Sequence, residues 1–270
     1  YAIAMQMAAQ AARTGRTRIA QELRQLVDDL RARAPREHAG AAKPVPLVQP
    51  RGELAGLLTV GYSKARVVDM ALDAEVQRRI ERVLLEQRER GRLREHGFAP
   101  MRKLLLVGPP GTGKTMTASV LAGELGLPLF TIQLHALITK FMGETAAKLR
   151  LIFDAVAESR AVYLFDEFDA LGSDRASKND VGEIRRVLNS FLQFLEQDTS
   201  ESLVLAATNH AALLDRALFR RFDEVIEYRL PAADVAEQVM KARLALLDTS
   251  AVSWAEAARA ASELSHGDIV

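Results

Sequence analysis

The 270 residues contain no cysteine, one tryptophan and four tyrosines, and aromatic residues make up 6% of the chain. Without cysteine, disulfides and thiolate metal sites are excluded, as a reducing compartment would suit, and a cytoplasmic location is the expectation. No apolar run approaches the roughly 18 residues that a membrane span requires, and no charged segment followed by an apolar one opens the chain as in a secretory signal. Charge of one sign is also missing: 36 basic and 35 acidic side chains leave a formal net charge of +1. That balance argues against a chain whose main task is to coat nucleic acid, since such chains are strongly basic. What is present in quantity is apolar content, 49%, enough for a sizeable core. The chain opens at Tyr1 and closes on "SHGDIV", as expected of a fragment of something longer.

Four regions are expected. Residues 1–36 form a helical hairpin, with Ile19, Leu23, Leu26, Val27 and Leu30 at helical spacing and a turn at Thr14-Gly15. Prolines and glycines mark residues 37–61 as a linker. A charged helix follows, carrying Val76, Ile80, Val83 and Leu84 on one face and the pairs Glu75/Arg79 and Glu86/Arg90 on the other. It opens a domain over residues 62–230 in which "KLLLV", "LPLFTIQL", "AVYLF", "LVLAA" and "EVIEY" alternate with amphipathic segments, one with Ile184, Val187, Leu188, Phe191, Leu192 and Leu195 on one face. Runs apolar throughout suit strands buried on both sides, so the fold class is α/β, a parallel sheet between helices. After Pro231 only helical periodicity remains, through Val235, Val239, Leu246, Trp254 and Leu264, and residues 231–270 read as a small helical lid.

"GPPGTGKT", residues 108–115, directly follows the first of these strands. Its glycines, Gly108, Gly111 and Gly113, let backbone amides curl around phosphates at a helix N-terminus, with Pro109, Pro110, Thr112 and Met116 completing the surround. Lys114 reaches the β- and γ-phosphates and the Thr115 hydroxyl is a ligand for Mg²⁺. "VYLFDEFDAL" ends a buried strand in Asp166 and Glu167. Carboxylates there can hold the metal, the role assigned to Asp166, and activate the attacking water, the role assigned to Glu167. Asp169 reads as a helix N-cap and stays outside the catalytic set. The strand "LVLAAT" leads to Asn209, whose amide can orient that water. "LLDRALFRRFD" places Arg220 beside Arg221. Surface arginines standing alone are solvated or salt-bridged, but a guanidinium inserted into a neighbouring subunit's site neutralises charge on a transferred phosphoryl.

Together these segments resemble an AAA-family ATPase of bacterial type, from about residue 67 to the chain end. The resemblance identifies "GPPGTGKT" as Walker A, "VYLFDE" as Walker B, Asn209 as sensor 1 and "DRALFRRFD" as the second region of homology, where adjacent arginines look like those of meiotic-type members such as katanin and spastin. It leaves both Arg220 and Arg221 as candidate fingers. It also implies ATP and Mg²⁺ as ligands, a P-loop sheet domain with a helical lid, and assembly into a homo-oligomer, a hexamer. "TKFMGETAAKLRLIF" is similar to the segment holding pore loop 1, putting Phe141, Met142 and Gly143 in a central channel that grips a protein client, with the next helix starting only after Gly143-Glu144. "LSHGDIV" resembles the segment near the adenine, with His266 and Gly267 in place of a Gly-Ala pair and no sensor 2 arginine. The hairpin at 1–36 loosely resembles helical adaptor modules and is a place where a separate partner protein could dock.

The function implied is an ATPase that remodels, unfolds or disassembles a protein client. A nucleic-acid-directed loader on the same core would want a basic stripe, which the near-neutral charge does not call for. A nucleotide-dependent scaffold or switch is opposed by the complete Asp166-Glu167 pair. No His-Glu-x-x-His occurs in these residues, so a peptidase would have to reside elsewhere.

Overall fold

The computed structural model describes residues 50, 52–137, 142–171, 180–210, 216–250 and 252–270. The hairpin at 1–36, most of the linker, and Phe141 lie outside them. Six strands form one sheet: β1 (Leu58–Gly61), β2 (Lys103–Val107), β3 (Leu129–Ile132), β4 (Val162–Phe165), β5 (Leu203–Thr208) and β6 (Glu224–Glu227), in the order β1-β3-β4-β5-β2-β6. All neighbouring pairs are parallel except β1 with β3. The five parallel strands are the five apolar runs of the sequence. All six residues of β5 and all four of β4 are buried, because helices cover both faces.

Strand β1 corrects the linker expected over 37–61. Leu57 and Leu58 are 3% and 4% exposed, and Leu57 O accepts a hydrogen bond from Gln133 N at 2.9 Å. Two leucines beyond the last proline suffice to dock an edge strand antiparallel on β3, preceded by a 3₁₀ turn, Gly52–Gly56.

Helix α1 (Ala74–Arg88) buries Val76, Ile80, Val83 and Leu84, with Asp73 accepting from Glu75 N at its start. The Glu75/Arg79 pair forms at 2.7 Å. The expected Glu86/Arg90 pair does not, because α1 ends at Arg88 and Arg90 opens a second helix, α2 (Arg90–Glu95). Glu86 pairs instead with Arg82 at 3.1 Å, and Arg90 faces Glu201 at 3.7 Å.

Between β2 and β3 runs α3 (Lys114–Leu125). Helix α4 (Leu134–Leu137) and α5 (Met142–Glu158) separate β3 from β4, and α6 (Asp180–Gln197) separates β4 from β5. On one side of the sheet, Phe153, Phe165, Phe168 and Phe191 make a ring cluster with centroids 4.7–6.0 Å apart, and Leu195 completes the buried face of α6. On the other side α1 and α3 pack on Leu104, Leu106, Leu164 and Leu205. A short helix, α7 (Arg216–Phe219), precedes β6. Helices α8 (Ala233–Arg243), α9 (Trp254–Ala260) and α10 (His266–Ile269) form the expected helical end, where Val235 and Val239 are buried. Leu246 does not join them: α8 stops at Arg243 and Leu246 is fully exposed. No helix among the described residues is long and apolar enough to cross a membrane.

Candidate functional site

Residues 108–115 connect the C-terminal end of β2 to the N-terminus of α3, the place where a parallel sheet presents ligand sites. Two glycines there are required by packing. A Cβ on Gly108 (φ 152°) would lie 2.4 Å from Tyr228 O, and one on Gly111 (φ 72°) would lie 2.3 Å from Ser265 Oγ. The loop is braced from within: Thr112, 1% exposed, donates from Oγ1 to Pro109 O at 2.8 Å. Lys114, 6% exposed, donates from Nζ to Gly108 O at 2.7 Å and to Pro109 O at 2.6 Å. Burial lowers the Lys114 pKa, against which Asp166 and Asp169 favour the cation. A desolvated ammonium resting on weak carbonyl acceptors is poised for an anionic partner. The unsatisfied N–H groups of the first turn of α3 face the same way.

A cavity of about 350 Å³ lies against this loop, and Lys114, Thr115, Met116, Asp166, Glu167 and Asn209 all line it. Thr115 Oγ1 donates to Asp166 Oδ2 at 2.7 Å, and Asp166 Oδ1 accepts from Glu167 N at 2.9 Å. The Thr115 hydroxyl and the Asp166 carboxylate are thus two hard oxygen donors at one point. Among the described residues no group of three or more His, Cys, Asp or Glu side chains is placed to hold a metal ion, so the pair Thr115 and Asp166 is the donor set to consider. That donor set fits Mg²⁺, which takes one or two protein oxygens and fills its octahedron with phosphate oxygens and water.

Glu167 is the one non-glycine residue among those described with a left-handed backbone, φ 51°. Such a conformation costs a side-chain-bearing residue about 1–2 kcal/mol. The turn takes the chain out of β4, leaving Glu167 exposed while Phe168 drops fully buried against Phe191. The Glu167 carboxylate has no hydrogen-bond partner among the described residues.

Asn209 follows β5 at the same edge, and its backbone N donates to Asp169 Oδ1 at 3.1 Å. Thr208 Oγ1 donates to the same oxygen at 3.2 Å. Asp169, left outside the catalytic set by the sequence, therefore anchors Asn209 from inside the 3₁₀ turn Phe168–Leu171. Its spacing three residues after Asp166 was the available signal, but the partner lies 40 residues away.

The lid meets the loop directly. Gly267 N donates to Gly111 O at 2.9 Å, and Ser265 and Asp268 cap α10 reciprocally. His266 lines a second cavity of about 430 Å³ with Leu72, Val76, Tyr228 and Val235. Burial lowers the His266 pKa, with the Ala71 backbone acting in the opposite direction.

Arg220 and Arg221 follow α7, both exposed. Arg221 is ion-paired with Glu196 on α6, whereas Arg220 has no partner among the described residues. Neither lines the cavity that holds Glu167. Met142 and Gly143 occupy the first turn of α5 rather than a loop preceding it, so the helix starts three residues earlier than expected, with Glu144 also in its first turn.

Residues 104–230 match the family model described as ATPase family associated with various cellular activities (AAA). The chain is 40% identical over 173 residues to an uncharacterized AAA family ATPase, y4kL, of Sinorhizobium fredii, covering 64% of this chain and 52% of that protein. It is 35% identical over 202 residues to an ATP-dependent zinc metalloprotease, FtsH 1, of Methylacidiphilum infernorum, covering 68% of this chain and 32% of the other. To a putative 26S proteasome regulatory subunit homolog of Methanothermobacter marburgensis it is 34% identical over 172 residues, covering 63% and 45%. The chain thus spans about half or less of the length of these relatives.

Proposed function

Since this chain carries an ATPase domain of the AAA family across residues 104–230, we propose that it binds and hydrolyses ATP as one subunit of a homo-oligomeric ring that works on a protein client. The observation that carries hydrolysis is the convergence of Lys114, Thr115, Asp166, Glu167 and Asn209 on one cavity. A protein client is supported by relatives named as ATP-dependent proteases and as a proteasome regulatory subunit homolog. A trans-acting arginine, and with it the ring, is supported by Arg220, which is exposed and has no partner among the described residues.

The loop amides and Lys114 bind the phosphates, with Gly108, Gly111 and Gly113 allowing the backbone to come close. Thr115 and Asp166 would hold Mg²⁺, which when bound offsets phosphate charge and polarises the transferred phosphoryl. Glu167 accepts a proton from the attacking water as its oxygen bonds to the terminal phosphorus and the phosphoanhydride bond breaks, ADP leaving with the bonding electrons. Asn209, held by Asp169, orients that water. Arg220 of a neighbouring subunit neutralises the charge that develops. His266 and Gly267 close the site from the lid side, near the adenine. Phe141, Met142 and Gly143 are the client-gripping segment, and residues 1–36 are a docking module for a partner protein.

The test uses Glu167→Gln and solution mass with and without ATP. Retained ATP binding, an ATP-dependent rise in mass and turnover reduced at least about a hundredfold are expected. Unimpaired turnover would remove Glu167 as the base, and a monomer under both conditions would remove the ring.

A further inference from the structure

Tyr228, the residue after β6, is 4% exposed and touches both ends of the glycine-rich loop. At the near end its N donates to Val107 O at 2.6 Å. Its Cβ occupies space where a Cβ on Gly108 would fall, 2.7 Å away. At the far end its hydroxyl lies 2.6 Å from Thr117 Oγ1, on the first turn of α3. Thr117 is fully buried and donates from Oγ1 to Gly113 O at 3.1 Å.

The direction of this chain follows from proton counting. A threonine hydroxyl carries one proton, and here it goes to Gly113 O. Thr117 Oγ1 is then left as an acceptor, so Tyr228 donates to it, and no buried donor goes unused. Burial holds the phenol pKa well above its ordinary value, with the Thr117 bond pulling the other way, so Tyr228 stays a donor at neutral pH. The relay ends on a peptide that matters for the loop. Gly113, at φ 97°, precedes α3 and offers no side chain to cap it. Its carbonyl accepts from Thr117 N at 2.9 Å as well as from Thr117 Oγ1. In a planar trans peptide the C=O and N–H point oppositely. Pinning Gly113 O toward α3 therefore aims the Lys114 N–H at the loop's concave side.

We propose that Tyr228 is a positioning residue for the phosphate-binding loop, holding Val107, the residue before Gly108, by its backbone and Gly113 through Thr117, and tying both to Arg229, Leu230 and Pro231, which lead into α8. The inference rests on the reading of this loop as a nucleotide site. It makes ATP affinity depend on one buried hydroxyl that contacts no nucleotide and on the segment from which the lid hangs.

The experiment measures binding of a fluorescent ATP analogue with Mg²⁺, and steady-state turnover, on the full chain. Tyr228→Phe deletes one oxygen and keeps the ring in the core. Affinity is expected to weaken, and KM to rise, about three- to tenfold, the worth of one buried hydrogen bond, with kcat within about twofold. Thr117→Val should give the same loss and Thr117→Ser, which keeps the hydroxyl, should restore it. The double variant Tyr228→Phe with Thr117→Val should lose no more than either alone, because both break one relay. Unchanged affinity in Tyr228→Phe, or losses that multiply in the double variant, would overturn the proposal. Amide exchange over residues 108–115 without nucleotide separates the two readings. If Tyr228 holds the loop, exchange there quickens in Tyr228→Phe whether or not ATP binds, and unaltered exchange counts against it. Failure of the unaltered chain to bind ATP, with quickened exchange in the variant, would instead overturn the nucleotide reading alone.

Discussion

Arg221 is ion-paired with Glu196 at the C-terminal end of α6, while its neighbour in sequence, Arg220, has no partner among the described residues. Adjacent residues of one sequence thereby acquire different chemistry. A guanidinium already neutralised within its own chain is a poor stabiliser of charge elsewhere, whereas an unpaired one extended from the surface is available to a second subunit. Arg220→Ala is expected to reduce turnover by about 10³-fold or more, and Arg221→Ala by far less. Mixing subunits is the sharper measurement. A chain lacking Arg220 keeps its Glu167, and a chain lacking Glu167 keeps its Arg220. An equimolar mixture of Arg220→Ala and Glu167→Gln should therefore turn over ATP faster than either alone. If the mixture is as inactive as its parts, the arginine does not act between subunits.

Asp169 holds Asn209 by its backbone N–H, and a hydrogen bond to a carboxylate is worth more than one between neutral groups. Asp169→Ala should lower kcat about tenfold to a hundredfold and nucleotide affinity by much less, since its hydrogen bonds go to Thr208 and Asn209 and it acts on Lys114 only through space. Steady-state kinetics beside a direct binding titration decides this. Loss of affinity equal to the loss of kcat would mean that Asp169 supports the loop and not Asn209.

The parts of this molecule that were legible in its sequence are those whose cause is local. Five strands were visible because each centres on a short run of apolar residues, and β4 and β5, at the middle of the sheet, are buried along their whole length. The loop at residues 108–115 was visible because its glycines, lysine and threonine are consecutive. Strand β1 was hidden by the prolines before it and by its edge position, which needs only Leu57 and Leu58 buried. The pairing of Asp169 with Asn209 spans 40 residues, and that of Arg221 with Glu196 depends on where α6 ends relative to α7. Neither has a periodicity to betray it. The Glu86/Arg90 spacing suggested a pair that the end of α1 at Arg88 prevents, and charge spacing alone does not show where a helix stops.

Asp198 and Arg102 form a second long-range pair, and this one is structural. Their side chains are 4% and 17% exposed, and Arg102 bonds both the carboxylate and the carbonyl oxygen of Asp198. Asp198 Oδ1 also accepts from Ser200 N at 3.0 Å, so the carboxylate is satisfied on both sides. Removing one member of a buried pair strands the other, at about 3–5 kcal/mol. Asp198→Ala should lower the melting temperature by roughly 10 °C for a domain of this size, measured by calorimetry or circular dichroism. A change of only a degree or two would show that water already reaches Arg102 well enough to solvate it.

His266 gives the junction between lid and loop a pH dependence whose sign can be worked out. Burial lowers its pKa from the ordinary 6.5, so the folded form holds the imidazole neutral while an unfolded chain protonates it near 6.5. At pH 8 both states carry neutral histidine and the difference vanishes. As pH falls through about 6.5 the unfolded state takes up a proton that the folded state refuses, and stability declines until the folded pKa is reached. Asp73, Glu75, Arg79, Glu227 and Arg229 line the same cavity and are left in place by a substitution at His266. His266→Gln cannot protonate there and should remove this component. Melting curves of the two chains, taken without nucleotide from pH 8 to 5.5, should run parallel at the alkaline end and diverge below about pH 6.5. The unaltered chain should lose stability faster. Parallel curves over the whole range would mean that His266 protonates where it sits, with water reaching its ring from the cavity.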